Sequence, residues 1–210
     1  LLKECSKSHK IHLVTFTQEP YLRDPAKLQA SIDGLRQYCE EVKVFQIPTD
    51  GKRIRWFLLL LFNLFSPEPY SVWRFRSQEM AKAIKDSMSK YSFDVIEIGT
   101  IALIKYARFA PNIPKLLIHH NIESLLLTRR SKTEKNPLAK AYLSLQAYKL
   151  KRSEQKAAKV DDYHTTVSEL DKASLLQICP NISVRAIDNG VDIDYFQSSN
   201  SPRRTNSLVY

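Results

Sequence analysis

The feature that most constrains this chain is its rhythm: short apolar runs of strand length alternate with stretches of helical spacing. A run of roughly four to eight apolar residues between turn residues suits a buried strand and is too short for an ordinary helix. The clearest case is Lys115-Leu116-Leu117-Ile118-His119-His120-Asn121-Ile122-Glu123-Ser124, which begins apolar and turns abruptly to imidazoles, an amide and a carboxylate. It reads as a central strand delivering side chains to the rim of a sheet. Ile11 to Phe16, Val42 to Ile47 (stopped by Pro48), Asp94 to Gly99, Tyr163 to Val167 and Ser183 to Ile187 are further strands.

Helices are expected between them, and Leu1 to His9 reads as the tail of another. Asp24-Pro25 is a start signal, a capping carboxylate before proline at the first helical position. Leu28, Ile32, Leu35 and Cys39 then share one face. Met80, Ile84, Met88 and Tyr91 mark a second apolar stripe, and a short helix from Ile101 to Ala110 leads through Pro111-Asn112-Ile113-Pro114 into the central strand. A long helix is expected from Pro137 to Val160, with Leu138, Ala141, Leu145 and Tyr148 facing the core, and another from Ser168 to Ile178. Strand and helix alternate with few hairpin signals, which predicts an α/β fold: a Rossmann-like parallel sheet with helices on both faces. Right-handed crossovers put the carboxyl ends of the strands on one edge, where ligands bind in such sheets. Polar clusters fall there: Thr17-Gln18 (opening a loop to Arg23), Gly99-Thr100, His119-His120-Asn121, Ser168-Glu169 and Asn189-Gly190.

Composition removes several classes. With 43% hydrophobic residues among 210, a substantial core is available and global disorder is excluded. The four glycines, Gly34, Gly51, Gly99 and Gly190, are too scattered for a Walker loop or a dinucleotide-binding turn. Cys5, Cys39 and Cys179 form neither a metal spacing nor a disulfide framework and read as small apolar residues in a reducing compartment. The chain carries a net charge of +10, and Thr128 to Lys159 alone holds ten basic residues against two acidic ones. Such a segment suits a solvated face, phosphate groups or anionic lipid. Without a nucleic-acid motif or interleaved stacking aromatics, no nucleic-acid partner is expected.

Arg53 to Phe65 is apolar nearly all round, with Lys52, Arg53, Arg55 and Trp56 at its start. It reads either as a helix in a membrane interface, with tryptophan and cations at head-group level, or as a buried helix under a loop. No signal peptide and no bilayer-spanning run are present. The expected location is cytoplasmic, with peripheral attachment to the inner face of the plasma membrane as an extension. There the Asn181-Ile182-Ser183 sequon goes unused.

Three motifs stand in order: His119-His120-Asn121-Ile122-Glu123-Ser124, Thr166-Val167-Ser168-Glu169-Leu170-Asp171, and Asn189-Gly190-Val191-Asp192-Ile193-Asp194-Tyr195-Phe196. A helix ending Lys151-Arg152-Ser153-Glu154 lies between the first two. Together they resemble the N-terminal domain of a retaining GT-B glycosyltransferase of the glycosyltransferase family 4 kind, closest to bacterial sugar transferases of exopolysaccharide clusters. The resemblance implies two Rossmann-like domains facing across a cleft. The N-terminal domain mainly holds a glycan or lipid-linked acceptor. The C-terminal one holds the nucleotide-sugar donor, with basic residues on the diphosphate and paired glutamates on the sugar and ribose. It implies no metal and no cofactor, since the nucleotide sugar is a substrate, and retention of configuration by attack and departure on one face. An anionic membrane surface is a further expected partner.

Two features depart from the family pattern. Leu1 at the start and a strand-like Leu208-Val209-Tyr210 at the end lead us to expect a piece of a longer protein, with the family's first strand and Gly-rich loop before it and the donor domain after it. Residues 1–196 then form the acceptor-side domain, 197–206 a linker and 207–210 the start of the next domain. Asp188 also stands where the family more often has proline.

By resemblance His120 is the catalytic candidate, hydrogen-bonding near the donor sugar or its phosphate, and Thr17, Gly99, Thr100, Asn121, Glu123, Ser168, Asn189 and Gly190 are the substrate-binding candidates. Local chemistry offers other roles. Asn121 could cap a helix with Ser124 in its first turn, Ser168 with Asp171 fits a capping box, and Asn189-Gly190 is a turn pair in which Gly190 tolerates positive φ. His119 should face away from His120, in a structural role. His9, His12 and His164 have no partners evident in the sequence. The rival reading, from another class, is a non-catalytic membrane-docking subunit that binds acceptor and recruits a separate catalytic chain.

Overall fold

The computed structural model describes residues 1–17, 24–50, 52–158 and 163–196. The linker expected at 197–206, the strand after it, residues 18–23 of the first polar loop and the end of the long helix at Val160 lie outside these residues. In chain order the elements are α1 (Leu2–Cys5), β1 (His12–Thr17), α2 (Pro25–Arg36), β2 (Glu41–Gln46), α3 (Arg53–Asn63), α4 (Tyr70–Arg74) and α5 (Gln78–Lys90). Then follow β3 (Ile96–Ile98), a 3-10 helix (Ile101–Phe109), β4 (Lys115–His119), α6 (Glu123–Thr133), α7 (Pro137–Ala157), β5 (Tyr163–Thr166), α8 (Glu169–Ile178) and β6 (Val184–Ala186).

Every strand pair is parallel and helices flank the strands, so the chain is a Rossmann-like α/β fold. The strands form two ladders rather than one. β1 pairs with β2, and β3-β4-β5-β6 make a separate four-stranded sheet. Side chains bridge the gap. The His12 ring packs on Tyr91 and Phe93 at 4.4 and 5.2 Å, Phe16 meets Phe75 at 5.3 Å, and Lys43 Nζ donates to Ser87 Oγ at 3.0 Å. His12, for which the sequence offered no partner, also lies within 3.6 Å of both Glu40 and Glu41.

β4 is the axis of the larger sheet. Lys115, Leu117 and His119 are buried on one face, and Leu116 and Ile118 are half-buried on the other, as a strand covered on both sides requires. Leu117 is 0% exposed, within a core of Ile98, Ile101, Ala107, Leu150 and Ala157. A second core joins Ile122 to Leu175, Ile178 and Cys179 under α8.

Helix starts follow the expected chemistry at several places. Asp24 accepts from Lys27 N at 3.1 Å and Ser168 accepts from Asp171 N at 3.1 Å, while the Ser168 hydroxyl donates to Asp171 Oδ2 at 2.6 Å. The stripe assigned to α7 is wrong. Leu138 is 82% exposed, Ala141 and Tyr148 are also exposed, and Leu145 is only half-buried. The face turned inward carries Gln146, Lys149 and Glu154 between Ala147, Leu150 and Ala157. These polar groups are buried because each meets a backbone or side-chain partner. Gln146 binds Asn63 Oδ1 and Tyr70 N, and Lys149 Nζ donates to the carbonyls of Asn63 and Leu64 at 2.6 and 3.3 Å. Lys149 is therefore no part of a solvated basic face, and burial pulls its ammonium pKa down.

Those bonds anchor the end of α3. Most of the rest of this helix is open to solvent: Leu59 and Leu60 are half-buried, but Ile54, Phe57, Leu58, Leu61 and Phe62 are all exposed, as are Leu64 and Phe65 just beyond it. The buried alternative for this segment does not hold. No helix of the described residues is long and apolar enough to cross a membrane.

Leu117→Ala should lower the unfolding free energy by about 3 kcal/mol through lost burial and a residual cavity. Leu138→Ala should move it by less than about 0.5 kcal/mol. Urea unfolding of the two variants checks this, and equal losses would refute the assignment of the α7 faces.

Candidate functional site at the strand edge

Because β3 to β6 are all parallel, their carboxyl ends share one edge. The structure brings Gly99 and Thr100 after β3, His120 and Asn121 after β4, Ser168 after β5, and Asn189 and Gly190 after β6 to that edge. Thr17 is not part of it. It ends β1 in the other ladder and is buried, and Gln18 lies outside the described residues.

The candidates divide by what they touch. Thr100 Oγ1 accepts from Ala102 N at 3.3 Å, capping the 3-10 helix. Ser168 is occupied with Asp171, as above. Both support a helix start and leave a ligand only their remaining hydrogen-bonding capacity. His120, Asn121, Asn189 and Gly190 are exposed. Gly190 has open space around the position of a Cβ and no positive φ, so the turn does not require glycine. Gly99 likewise has room.

Asn121 does not cap α6. The N-cap is Ile122, without a side-chain bond, and the free amides are met from another helix. Glu154 Oε1 accepts from Ser124 N at 3.1 Å and Oε2 accepts from Ser124 Oγ at 2.5 Å. Glu154 is 2% exposed. Burial raises its carboxyl pKa, and the Ser124 bonds act against that rise. A remote residue thus sets the entry of α6, immediately behind His120 and Asn121.

His119 is the structural histidine of the pair, as alternation requires. It is 4% exposed, and its Nε2 lies 3.2 Å from His164 Nδ1 on the next strand. His164, unassigned from sequence, is thus its partner, and one ring must donate while the other accepts. Burial, with the charge of His164 as a smaller cause, pushes His119 down to about 4. Burial also lowers His164. Both rings are neutral at pH 7, and this pair fixes β4 to β5 directly before the exposed edge.

Sequence reading missed one acidic neighbour. Partial burial raises the Glu97 carboxyl on β3, although the residue is still open to solvent, and the charge of His120 opposes the rise. The outward position in Ile96-Glu97-Ile98 was the available signal. Burial raises Glu123 as well. An exposed imidazole with two carboxyl groups of raised pKa can donate hydrogen bonds, exchange protons and stabilise developing charge. Among the described residues, no group of three or more His, Cys, Asp or Glu side chains is arranged to hold a metal ion.

Compared with known proteins, the chain matches no family model and no curated sequence.

The buried histidines give a pH signature. A neutral buried ring charges readily only after unfolding, at about pH 6.5. Stability is therefore full above that value and is lost as pH falls toward about 4, the folded-state pKa of His119. His119 should contribute a loss of about 2 kcal/mol between about pH 7.5 and about pH 5. Urea midpoints of the wild type and His119→Gln across this range test it, and identical slopes would show that the ring is not held neutral.

Proposed function

We propose that this chain is the acceptor-side, N-terminal half of a retaining GT-B glycosyltransferase. The enzyme transfers a sugar from a nucleotide-sugar donor to a polysaccharide or lipid-linked acceptor. The observation that carries the reading is the alignment of His120-Asn121, Ser168 and Asn189-Gly190 on one edge of four parallel strands, in the order of the family's motifs.

In this reading the bond between the sugar and the nucleoside diphosphate breaks while the acceptor oxygen bonds to the same face of the anomeric carbon, and the acceptor hydroxyl gives its proton to the departing diphosphate oxygen. His120 donates a hydrogen bond to the sugar or phosphate where negative charge gathers. Asn121 and Glu123 line the acceptor side, and Glu154 and the His119–His164 pair hold their backbone in place. The grip on the diphosphate belongs to a second domain, and no metal is required.

The 210-residue chain alone is expected to release no nucleoside diphosphate from nucleotide sugars. In a chain that includes the second domain, His120→Ala should lower kcat about 100-fold while KM changes little. Turnover by the isolated chain, or full activity of the His120 variant, would overturn this reading.

The exposed apolar side chains of α3, with Lys52, Arg53, Arg55 and Trp56 at its start, support peripheral attachment to an anionic membrane. They equally favour the rival, a non-catalytic docking subunit that presents acceptor to a separate enzyme. Leu58→Glu with Leu61→Glu should abolish sedimentation with vesicles containing phosphatidylglycerol. Unchanged sedimentation would remove α3 as the anchor.

A further inference from the structure

A cavity of about 290 Å³ lies between the loop after α3, the 3-10 helix and α7. Lys105, Arg108, Arg152 and Lys156 line it against one carboxylate, Glu68. That carboxylate is already engaged, by Lys105 and by Arg76 at 2.8 Å. No carboxylate among the described residues pairs with Arg108, Arg152 or Lys156. Two of these cations are held by rings: Arg108 lies 4.8 Å from the Phe109 ring centre, and Arg152 lies 5.6 Å from that of Tyr148, whose hydroxyl it also meets at 2.9 Å. Like charges gathered in a concave, ring-supported site raise the local potential and attract an anion.

We propose that this cavity is a binding site for a phosphate group, carried by a lipid head group or by a small soluble molecule. Its volume is at the lower end for ligand pockets, which suits a head group and not a whole nucleotide sugar. Guanidinium groups match phosphate oxygens through paired N–H donors. The site is not the edge that carries His120. Arg108 and Lys156 stand in the last turns of the helices that lead back into β4 and β5, toward the beginnings of the strands. Apolar surface adjoins it: Phe65, 86% exposed, precedes the lining residue Pro67 by two positions. A cationic hollow beside exposed aromatic and aliphatic side chains matches the two ends of an anionic amphiphile. The inference is independent of the transferase reading, since a docking subunit would use the same site.

The test compares two triple variants of equal charge. Arg108→Gln, Arg152→Gln and Lys156→Gln remove the three cavity cations that have no carboxylate partner and leave Lys105 on Glu68; Arg129→Gln, Lys132→Gln and Lys135→Gln remove the same charge from exposed positions elsewhere in the basic segment. Near-ultraviolet circular dichroism confirms that each is folded, and the single variant Lys156→Gln serves if the first triple is not. Binding is measured to phosphatidylcholine vesicles with and without phosphatidylglycerol, and to inorganic phosphate and glycerol phosphate by nuclear magnetic resonance titration. The cavity triple should weaken the phosphatidylglycerol-dependent part about 100-fold, the single variant about five-fold, and the control triple less than about five-fold. Loss confined to vesicles assigns the phosphate to a lipid, and loss of soluble phosphate binding assigns it to a free anion. Equal losses in the two triples, or no binding of either kind by the wild type, would overturn the proposal.

Discussion

Three polar side chains on the inner face of α7 hold the ends of three other helices, and the arrangement of the fold depends on them. Lys149 brings a positive charge to the carbonyls that finish α3, Glu154 brings a carboxylate to the amides that begin α6, and Gln146 accepts from the first amide of α4. Each charge has the sign that the helix end attracts. Bonds of this kind contribute about 1.5–3 kcal/mol when a charged group takes part. Buried charge is tolerable here because its partners are fixed backbone groups, and deleting either member would strand the other without water. α7 is thus both a core element and the common anchor for α3, α4 and the loop that carries His120 and Asn121.

β4 was legible because a parallel strand covered on both faces is almost continuously apolar, and the carboxyl edge is where its run stops. The α7 face was not legible. Leu138 and Tyr148 have the right spacing for a core stripe and lie in solvent, while Gln146, Lys149 and Glu154 look like surface residues and lie inside. Local spacing records hydrophobicity but not the remote partners that let polar groups be buried. The same limit explains Asn121: a local rule nominates it as a cap, yet the cap comes from Glu154, 30 positions beyond the Ser124 amide it meets. His119 was placed correctly by alternation, whereas its bond to His164 requires the register of β4 on β5. Glu97 was passed over because a single outward acid on a strand is ordinary by any local rule.

The described surface divides into regions of different chemistry. The strand edge offers an exposed imidazole, amides and carboxyl groups whose pKa burial raises, all suited to hydrogen bonding and proton exchange. The flank near the end of α3 offers guanidinium and ammonium groups beside apolar side chains, suited to holding an anionic amphiphile. Helices connect the two, so each can engage its own ligand without competing for residues.

The separation into two ladders has a mechanical result. β3 to β6 are tied by directional backbone bonds that fix the spacing of their ends, whereas β1 meets the rest through rings such as His12 on Tyr91 and Phe16 on Phe75. Ring contacts fix position through their packing geometry and add no backbone hydrogen bond. The place of Thr17 relative to His120 is therefore set by side-chain packing and the Lys43–Ser87 bond, and not by a backbone ladder.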